Sequence, residues 1–288
     1  MKTKATSIIF VIIFLLFTFS CASTPSRDAI SFGYTPQEKY EIGRTVGANI
    51  LGTYNLYYNE ELYSYLNSVC NSIIINSDNV NPYKGYSIGV LDTNIINAFA
   101  TPAGHVLISR GMLKSANSED ELAAIIAHEL SHIQLEHSIK AIKKNRTSQT
   151  IGRITTGILA TIVGSRENAT PENTAFIINT GLQITNYTSD LINSGYSKDT
   201  EFQADKYALH LMKNTGYNPN AMLTMLKNLK NNKSRNYRLG FDKTHPKPNE
   251  RILKSKKTIR KIKRQVGKNY DYNEESRAKR FEEIKQYF

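Results

Sequence analysis

The pentapeptide His128-Glu129-Leu130-Ser131-His132 constrains this chain more than any other feature. It sets two imidazoles four positions apart, with a carboxylate directly after the first. On an α-helix, residues i and i+4 share one face a single turn apart, so both rings can reach one metal ion. Glu129 is turned about 100° from His128 on such a helix. It is placed to act on a water as a base rather than to serve as a third ligand. This grouping points to metal-assisted hydrolysis, with zinc as the metal and a peptide bond as the bond cut.

The flanking residues predict the helix. Ser118 with Glu121 three residues later is a capping-box pattern. Glu119, Asp120 and Glu121 fill the first turn, where the macrodipole favours acids. Leu122, Ile125, Ile126, Leu130, Ile133 and Ile139 recur near helical spacing, which predicts one helix from Ser118 to Lys140. The small apolar run Ala123 to Ala127 implies burial. Histidine and glutamate are costly to bury unless hydrogen-bonded or metal-bound. Two satisfied core histidines are the plainer alternative.

Catalytic zinc usually takes three protein ligands. His137 is near, but on a continuous helix it is turned about 140° from His132. The metzincin spacing also needs glycine at 135 and histidine at 138, where the chain has Leu135 and Ser138. His137 therefore reads as a capping or surface histidine. A second helix is predicted from Ser197 through Met212. Glu201 and Asp205 are again i and i+4 on it, and Phe202, Tyr207 and Leu211 can pack against the first helix. Glu201 completes a two-histidine, one-glutamate set. Asp205 then accepts the remaining N–H of a ligand histidine and fixes its tautomer. Without the pentapeptide, two acids on a helix read as a solvated face.

These residues resemble the HtpX/Oma/CAAX-prenyl-protease type of gluzincin metallopeptidases, metallopeptidase family forty-eight. Thr35 to Gly43 looks like the family's opening helix. Asn97-Ala98-Phe99-Ala100 is similar to the segment ahead of its substrate-flanking strand, and Gly104 to Leu113 fits that strand and the turn after it. His128, Glu129 and His132 match the zinc-and-base helix, and Glu201 to Asp205 the third-ligand helix. Thr244-His245-Pro246 and Glu250-Arg251-Ile252 match a late segment. The resemblance covers roughly Thr35 to Lys263. It implies an α+β, mostly helical, zincin-like domain with a small sheet and one Zn2+ held by His128, His132 and Glu201. Glu129 is then the catalytic base. His245 is a second catalytic group near the cleft, which hydrogen-bonds the tetrahedral intermediate or transiently caps the metal. Asn97, Ala98, Phe99, His105 and Val106 are offered to substrate. Ala103 stands where a second glycine is common, and Arg146 to Asn193 carries little recognisable signal; both bear on substrate choice. With no long membrane spans, the chain looks like the soluble, periplasmic lipoprotein branch.

Met1-Lys2-Thr3-Lys4 and the apolar run Ile8 to Phe17 form a secretory signal pattern. The run is too short for a bilayer, which takes about 20 apolar residues. Cys21 follows directly and is the candidate lipidation site. This reading makes residues 1–20 a signal peptide and 21–34 a tether, and the protein an exported, periplasmic, membrane-anchored lipoprotein. Thr18 and Phe19 depart from the usual aliphatic and small residues there, and cleavage after Ala22 is the alternative. Once Cys21 is lipidated, Cys70 is a single thiol that reads as core packing. If Cys21 stays free, a Cys21–Cys70 bridge is the other arrangement.

With 288 residues the chain has room for one good-sized core. The catalytic domain is assigned to 35–265 and an exposed helical extension to 266–288. Tyr86 to Leu91 and His105 to Ser109 are the clearest strands. The second is expected at the sheet edge, where an extended peptide adds by β-augmentation. Ile151 to Gly164 reads as helix covering the cleft, with a membrane-dipping hairpin as the alternative. The formal charge is +12, and much of the excess lies between Arg251 and Lys268. Ile252, Ile259, Ile262 and Val266 recur there at helical spacing, which predicts a docked helix with a solvated basic face. Its functional reading is attraction to anionic lipid headgroups. No nucleic-acid-binding motif appears, and an exported protein rarely meets nucleic acid. Together these features point to a zinc-dependent endopeptidase of the bacterial cell envelope, engaged in quality control of misfolded or misassembled proteins. The alternatives are a zinc-stabilised chaperone or assembly factor, and a basic membrane-binding module.

Overall fold

The computed structural model describes residues 34–80, 82–148, 171–266 and 272–288. In chain order they form α1 (Pro36–Leu51), α2 (Glu60–Ile74), β1 (Ser87–Leu91), β2 (Ala98–Ala100), β3 (His105–Ser109), α3 (Arg110–Ser115), α4 (Glu119–Gln134) and α5 (His137–Ser148). Then follow α6 (Pro171–Ser194), α7 (Lys198–Thr215), α8 (Asn220–Asn231), the short α9 (Arg235–Leu239) and α10 (Phe241–Thr244), α11 (Pro248–Val266) and α12 (Glu274–Ile284). The expected signal peptide, Cys21, the tether up to residue 33 and the stretch Ile151 to Gly164 lie outside the described residues. Among the described residues, no helix is long and apolar enough to cross a membrane.

The helix that carries the pentapeptide, α4, is the centre of the core. Ser118 Oγ accepts from Glu121 N at 3.2 Å, while the Glu121 carboxylate reaches Asn117 N at 3.0 Å. Every residue from Glu119 to Ile133 is buried, because α7, α8, α2 and the sheet all pack on it. The continuous helix expected to Lys140 does not form. Leu135 N still bonds Ser131 O at 3.0 Å, but Glu136 adopts a left-handed φ of 54° and the chain restarts as α5 at His137. Helical periodicity carries through this break because Ile133 and Ile139 are both buried on either side of it.

The sheet order is β1-β3-β2, with β1 parallel and β2 antiparallel to β3. This corrects the expected edge: His105–Ser109 is the central strand, and both of its sides are already paired. The three-residue β2 is too short to show an alternating pattern, yet it pairs Ala98 with Ile108 and Ala100 with Val106 and lies against α4. The hairpin between β2 and β3 turns through Ala103 (φ 61°) and Gly104 (φ 131°).

The C-terminal segment also departs from expectation. Instead of an exposed extension, α12 buries Phe281 and Ile284, and Phe288 packs beside them in the core. Arg277 and Arg280 on α12 pair with Asp120 and Glu119 in the first turn of α4. On α11, Ile259 and Ile262 are buried, and Lys256, Lys257, Arg260, Lys261, Lys263 and Arg264 are exposed. Arg251, counted with that basic run, instead points inward and is 0% exposed.

Candidate metal centre

α4 and α7 lie side by side, and each offers side chains one turn apart. From α4, His128 Nε2 and His132 Nε2 face each other at 3.1 Å. From α7, Glu201 brings Oε2 to 3.4 Å from His128 Nε2 and Oε1 to 3.3 Å from His132 Nε2. Donor atoms held tetrahedrally about 2.0–2.1 Å from one ion stand about 3.3 Å apart. Each of these three contacts has the length that such an ion needs, the two to Glu201 running through different carboxylate oxygens.

Two further observations fit a divalent metal. Glu201 is 0% exposed, and neither of its carboxylate oxygens has a hydrogen-bond partner. Acceptors buried at that depth are normally satisfied. Charge gives the second observation. Glu129, Glu201 and Asp205 are buried carboxylates set around the buried Arg251 guanidinium, which lies 3.3 Å from Glu201 and 2.6 Å from Asp205. With the imidazoles neutral, as ligation requires, and Glu129 ionised, three negative charges would meet one positive charge and a dication would supply the difference; without an ion, protons on His128 and Glu129 fill that role.

The same fields set the protonation of the side chains. Burial raises Glu201, but His245, His128 and Arg251 overcome it and hold the carboxyl well below the usual range. Burial also raises Asp205, and Arg251 reverses this and brings it to about 2. Burial dominates at Glu129 and pushes it up to about 7. Burial holds His132 down at about 4. His128 is lowered by burial and Arg251, but Glu201 and Asp205 outweigh them and lift it to about 9. Metal binding must displace that proton, since only a neutral imidazole nitrogen ligates.

Asp205 Oδ1 lies 3.1 Å from His128 Nδ1, while Arg251 grips both Asp205 oxygens at 2.8 and 2.6 Å. His245 stands on the remaining side, with Nε2 3.9 Å from Glu201 Oε2. The ligand atoms of His128, Glu201 and His245 all fall within 4.8 Å of one another. The His245 ring stacks on Phe241 at 4.1 Å, and its Nδ1 meets Thr244 Oγ1 at 2.8 Å. Gly195 permits this approach: its φ is 63°, and a Cβ there would stand 1.6 Å from Thr244 O.

Asn97 joins this loop to β2, because its Oδ1 accepts from Thr244 Oγ1 at 3.2 Å and Ala98 N at 3.0 Å. Phe99 points elsewhere and lies against Tyr54. The structure does not bring His105 or Val106 to the centre. His105 contacts Ser87 Oγ at 2.7 Å and Tyr40, and Val106 lies in the core of the central strand. A substrate strand cannot pair with either, because β1 and β2 occupy both sides.

The sequence matches a known family over most of the chain. The family model of Peptidase family M48 matches residues 61–259. The chain belongs to this family. It is 26% identical to the beta-barrel assembly-enhancing protease of Yersinia pestis over 211 residues, which are 72% of this chain and 41% of that protein. It is 28% identical to the mitochondrial metalloendopeptidase OMA1 of Schizosaccharomyces pombe, over 60% of this chain and 47% of that protein. A protease HtpX homolog of Fusobacterium nucleatum is 29% identical over 50% of this chain and 47% of its own length. The chain thus spans between 41% and 47% of the length of these relatives.

Three neighbours of the centre in this M48 domain were misread or missed in the sequence. His137 is not at the surface: it is buried, with Nδ1 3.0 Å from His132 Nδ1. The break at Glu136 swings it round, which a continuous helix forbids. Tyr196 stacks on the His132 ring at 4.1 Å, and no spacing rule marks it. Arg251 had a signal, since it shares a helical face with Ser255, Ile259 and Ile262, all buried.

Proposed function

We propose that this chain is a zinc-dependent endopeptidase of the bacterial cell envelope that acts on misfolded or misassembled envelope proteins. The observation that carries this reading is the meeting of His128 Nε2 and His132 Nε2, 3.1 Å apart, with the two Glu201 oxygens at 3.4 and 3.3 Å, neither of which accepts a hydrogen bond. His128, His132 and Glu201 would hold one Zn2+. Zinc, when bound, lowers the pKa of a coordinated water towards 7 and polarises the scissile carbonyl.

The chain's own residues do the rest. Glu129 takes the proton from the attacking water and passes it to the leaving amine; burial keeps it near the pH at which both transfers run. Asp205 holds the His128 ring by Nδ1, and Arg251 holds Asp205. His245 Nε2 comes within 3.9 Å of Glu201 Oε2. It serves as a donor to the tetrahedral intermediate, or as a cap that leaves when substrate arrives. β2, the sheet edge beside α4, is the place for an extended peptide, with Ala98 and Ala100 as its partners.

Envelope location rests on the signal pattern of residues 1–17 and on the printed name of the Yersinia pestis relative. Lipidation of Cys21 would tether the domain to the membrane. The deciding experiment compares wild type, Glu129→Gln and Glu201→Ala in casein degradation and zinc content. Glu129→Gln should keep zinc and lose hydrolysis by about 10²–10⁴-fold. Glu201→Ala should lose zinc. Near-wild-type cleavage by Glu129→Gln would overturn the mechanism. A zinc-stabilised assembly factor would instead bind zinc and leave casein intact in every variant.

A further inference from the structure

We propose that His137 is a positioning residue for His132, fixing the tautomer in which His132 can bind the metal. This rests on the reading of His128, His132 and Glu201 as zinc ligands. Two ring nitrogens 3.0 Å apart share one proton, so one donates and the other accepts. His132 needs a lone pair at Nε2, the atom that faces His128 and Glu201, and its proton must therefore sit on Nδ1. His137 Nδ1 is then the acceptor. The reverse arrangement, with His137 donating, puts the His132 proton on Nε2 and closes that nitrogen to metal.

The surroundings support a fixed ring. Tyr196 lies flat on His132, 4.1 Å away with a 15° tilt. Its hydroxyl is 2.7 Å from Ser138 Oγ and 2.8 Å from Tyr187 Oη. Ser138 directly follows His137, so the first turn of α5 sets both the hydrogen-bond partner of the ring and its stacking partner. His128 is held differently, by the charged Asp205. A neutral acceptor at His132 adds no charge to the centre.

The test begins with the unaltered, zinc-loaded chain labelled with ¹⁵N-histidine. Long-range ¹H–¹⁵N correlation spectra should show His132 protonated at Nδ1, with a coupling across the hydrogen bond to an unprotonated His137 Nδ1. A His132 protonated at Nε2, or a His137 protonated at Nδ1, would overturn the proposal. Chelator competition on variants gives the second readout. His137→Leu removes the acceptor at similar size and should weaken zinc binding about 10–100-fold. His137→Asn places a carbonyl near the same point and should bind within about threefold of wild type. Wild-type affinity in His137→Leu, or equal losses in Leu and Asn variants with unchanged melting, would also overturn it. His132→Ala separates the two levels. If it still binds zinc at wild-type affinity, the ligand assignment fails; if it loses zinc while His137→Leu keeps it, only the role of His137 falls. Should His137→Leu not fold, the spectra of the unaltered chain decide.

Discussion

At its first turn α4 buries Glu119 and Asp120; in its last turns it buries His128, Glu129 and His132. Both ends place ionisable groups in the core, yet they are completed differently. Asp120 meets Arg277 and accepts from Asn218 N at 2.9 Å. Glu119 meets Arg280 and accepts from the hydroxyls of Tyr65 at 3.0 Å and Tyr217 at 3.1 Å. Glu119 and Asp120 each have their own guanidinium, and the third buried carboxylate there, Glu121, accepts from Asn117 and Asn228. At the other end one guanidinium, Arg251, serves Glu201 and Asp205 with Glu129 close by, and the oxygens of Glu201 lack hydrogen bonds. A buried cluster whose acceptors the chain itself satisfies is scaffold. A cluster that shares one guanidinium and keeps open acceptors has room for an ion.

Arg251→Met strikes this contrast hardest. Without its guanidinium, the Asp205 and Glu201 carboxylates stay buried and lose their cation. Breaking a buried pair in this way costs about 3–5 kcal/mol. Urea unfolding of the chelator-treated protein should show the loss, and zinc should recover part of it. An unchanged midpoint would mean that the charge at this end is already balanced.

Zinc itself gives the next largest effect. At a free concentration one hundred times its dissociation constant, it should stabilise the wild type by about 2.7 kcal/mol. Glu201→Gln should show almost none of that increment. Arg277→Met, at the other end of the same helix, should lower stability by about 2 kcal/mol, a buried-pair cost reduced for its partial exposure, and keep the full zinc increment. Equal increments in wild type and Glu201→Gln, from thermal melts with and without zinc, would erase the distinction between the two ends.

The sequence displayed which side chains meet at the centre because spacing on a helix determines which of them share a face. His128 with His132, and Glu201 with Asp205, are i,i+4 pairs, and that relation holds inside one regular element. The reading failed where regularity stops. His137 was rotated away by assuming one continuous helix to Lys140, whereas α4 ends at Gln134 and a single left-handed residue, Glu136, redirects the chain. β3 was placed at the edge because its partner β2 has three residues, too few for an alternating pattern. Glu119 and Asp120 read as dipole partners in a helix start. Their arginines lie more than 150 positions away on α12, a separation that no local pattern encodes.

Arg280→Met should have the smallest effect of the three, although its carboxylate partner is as deeply buried as any. Glu119 is 1% exposed, but the Arg280 side chain is half exposed, so water screens much of the pair. The two tyrosine hydroxyls also remain as donors. The loss should be about 1 kcal/mol by chemical unfolding. That residual support has its own signature. Tyr65→Phe should cost more in the Arg280→Met background than in wild type, with a coupling of about 0.5–1 kcal/mol in a double-mutant cycle. A loss above about 3 kcal/mol for Arg280→Met alone would show that Glu119 depends on one cation as a fully buried pair does. Additive effects of the two substitutions would show that the hydroxyls and the guanidinium hold Glu119 independently.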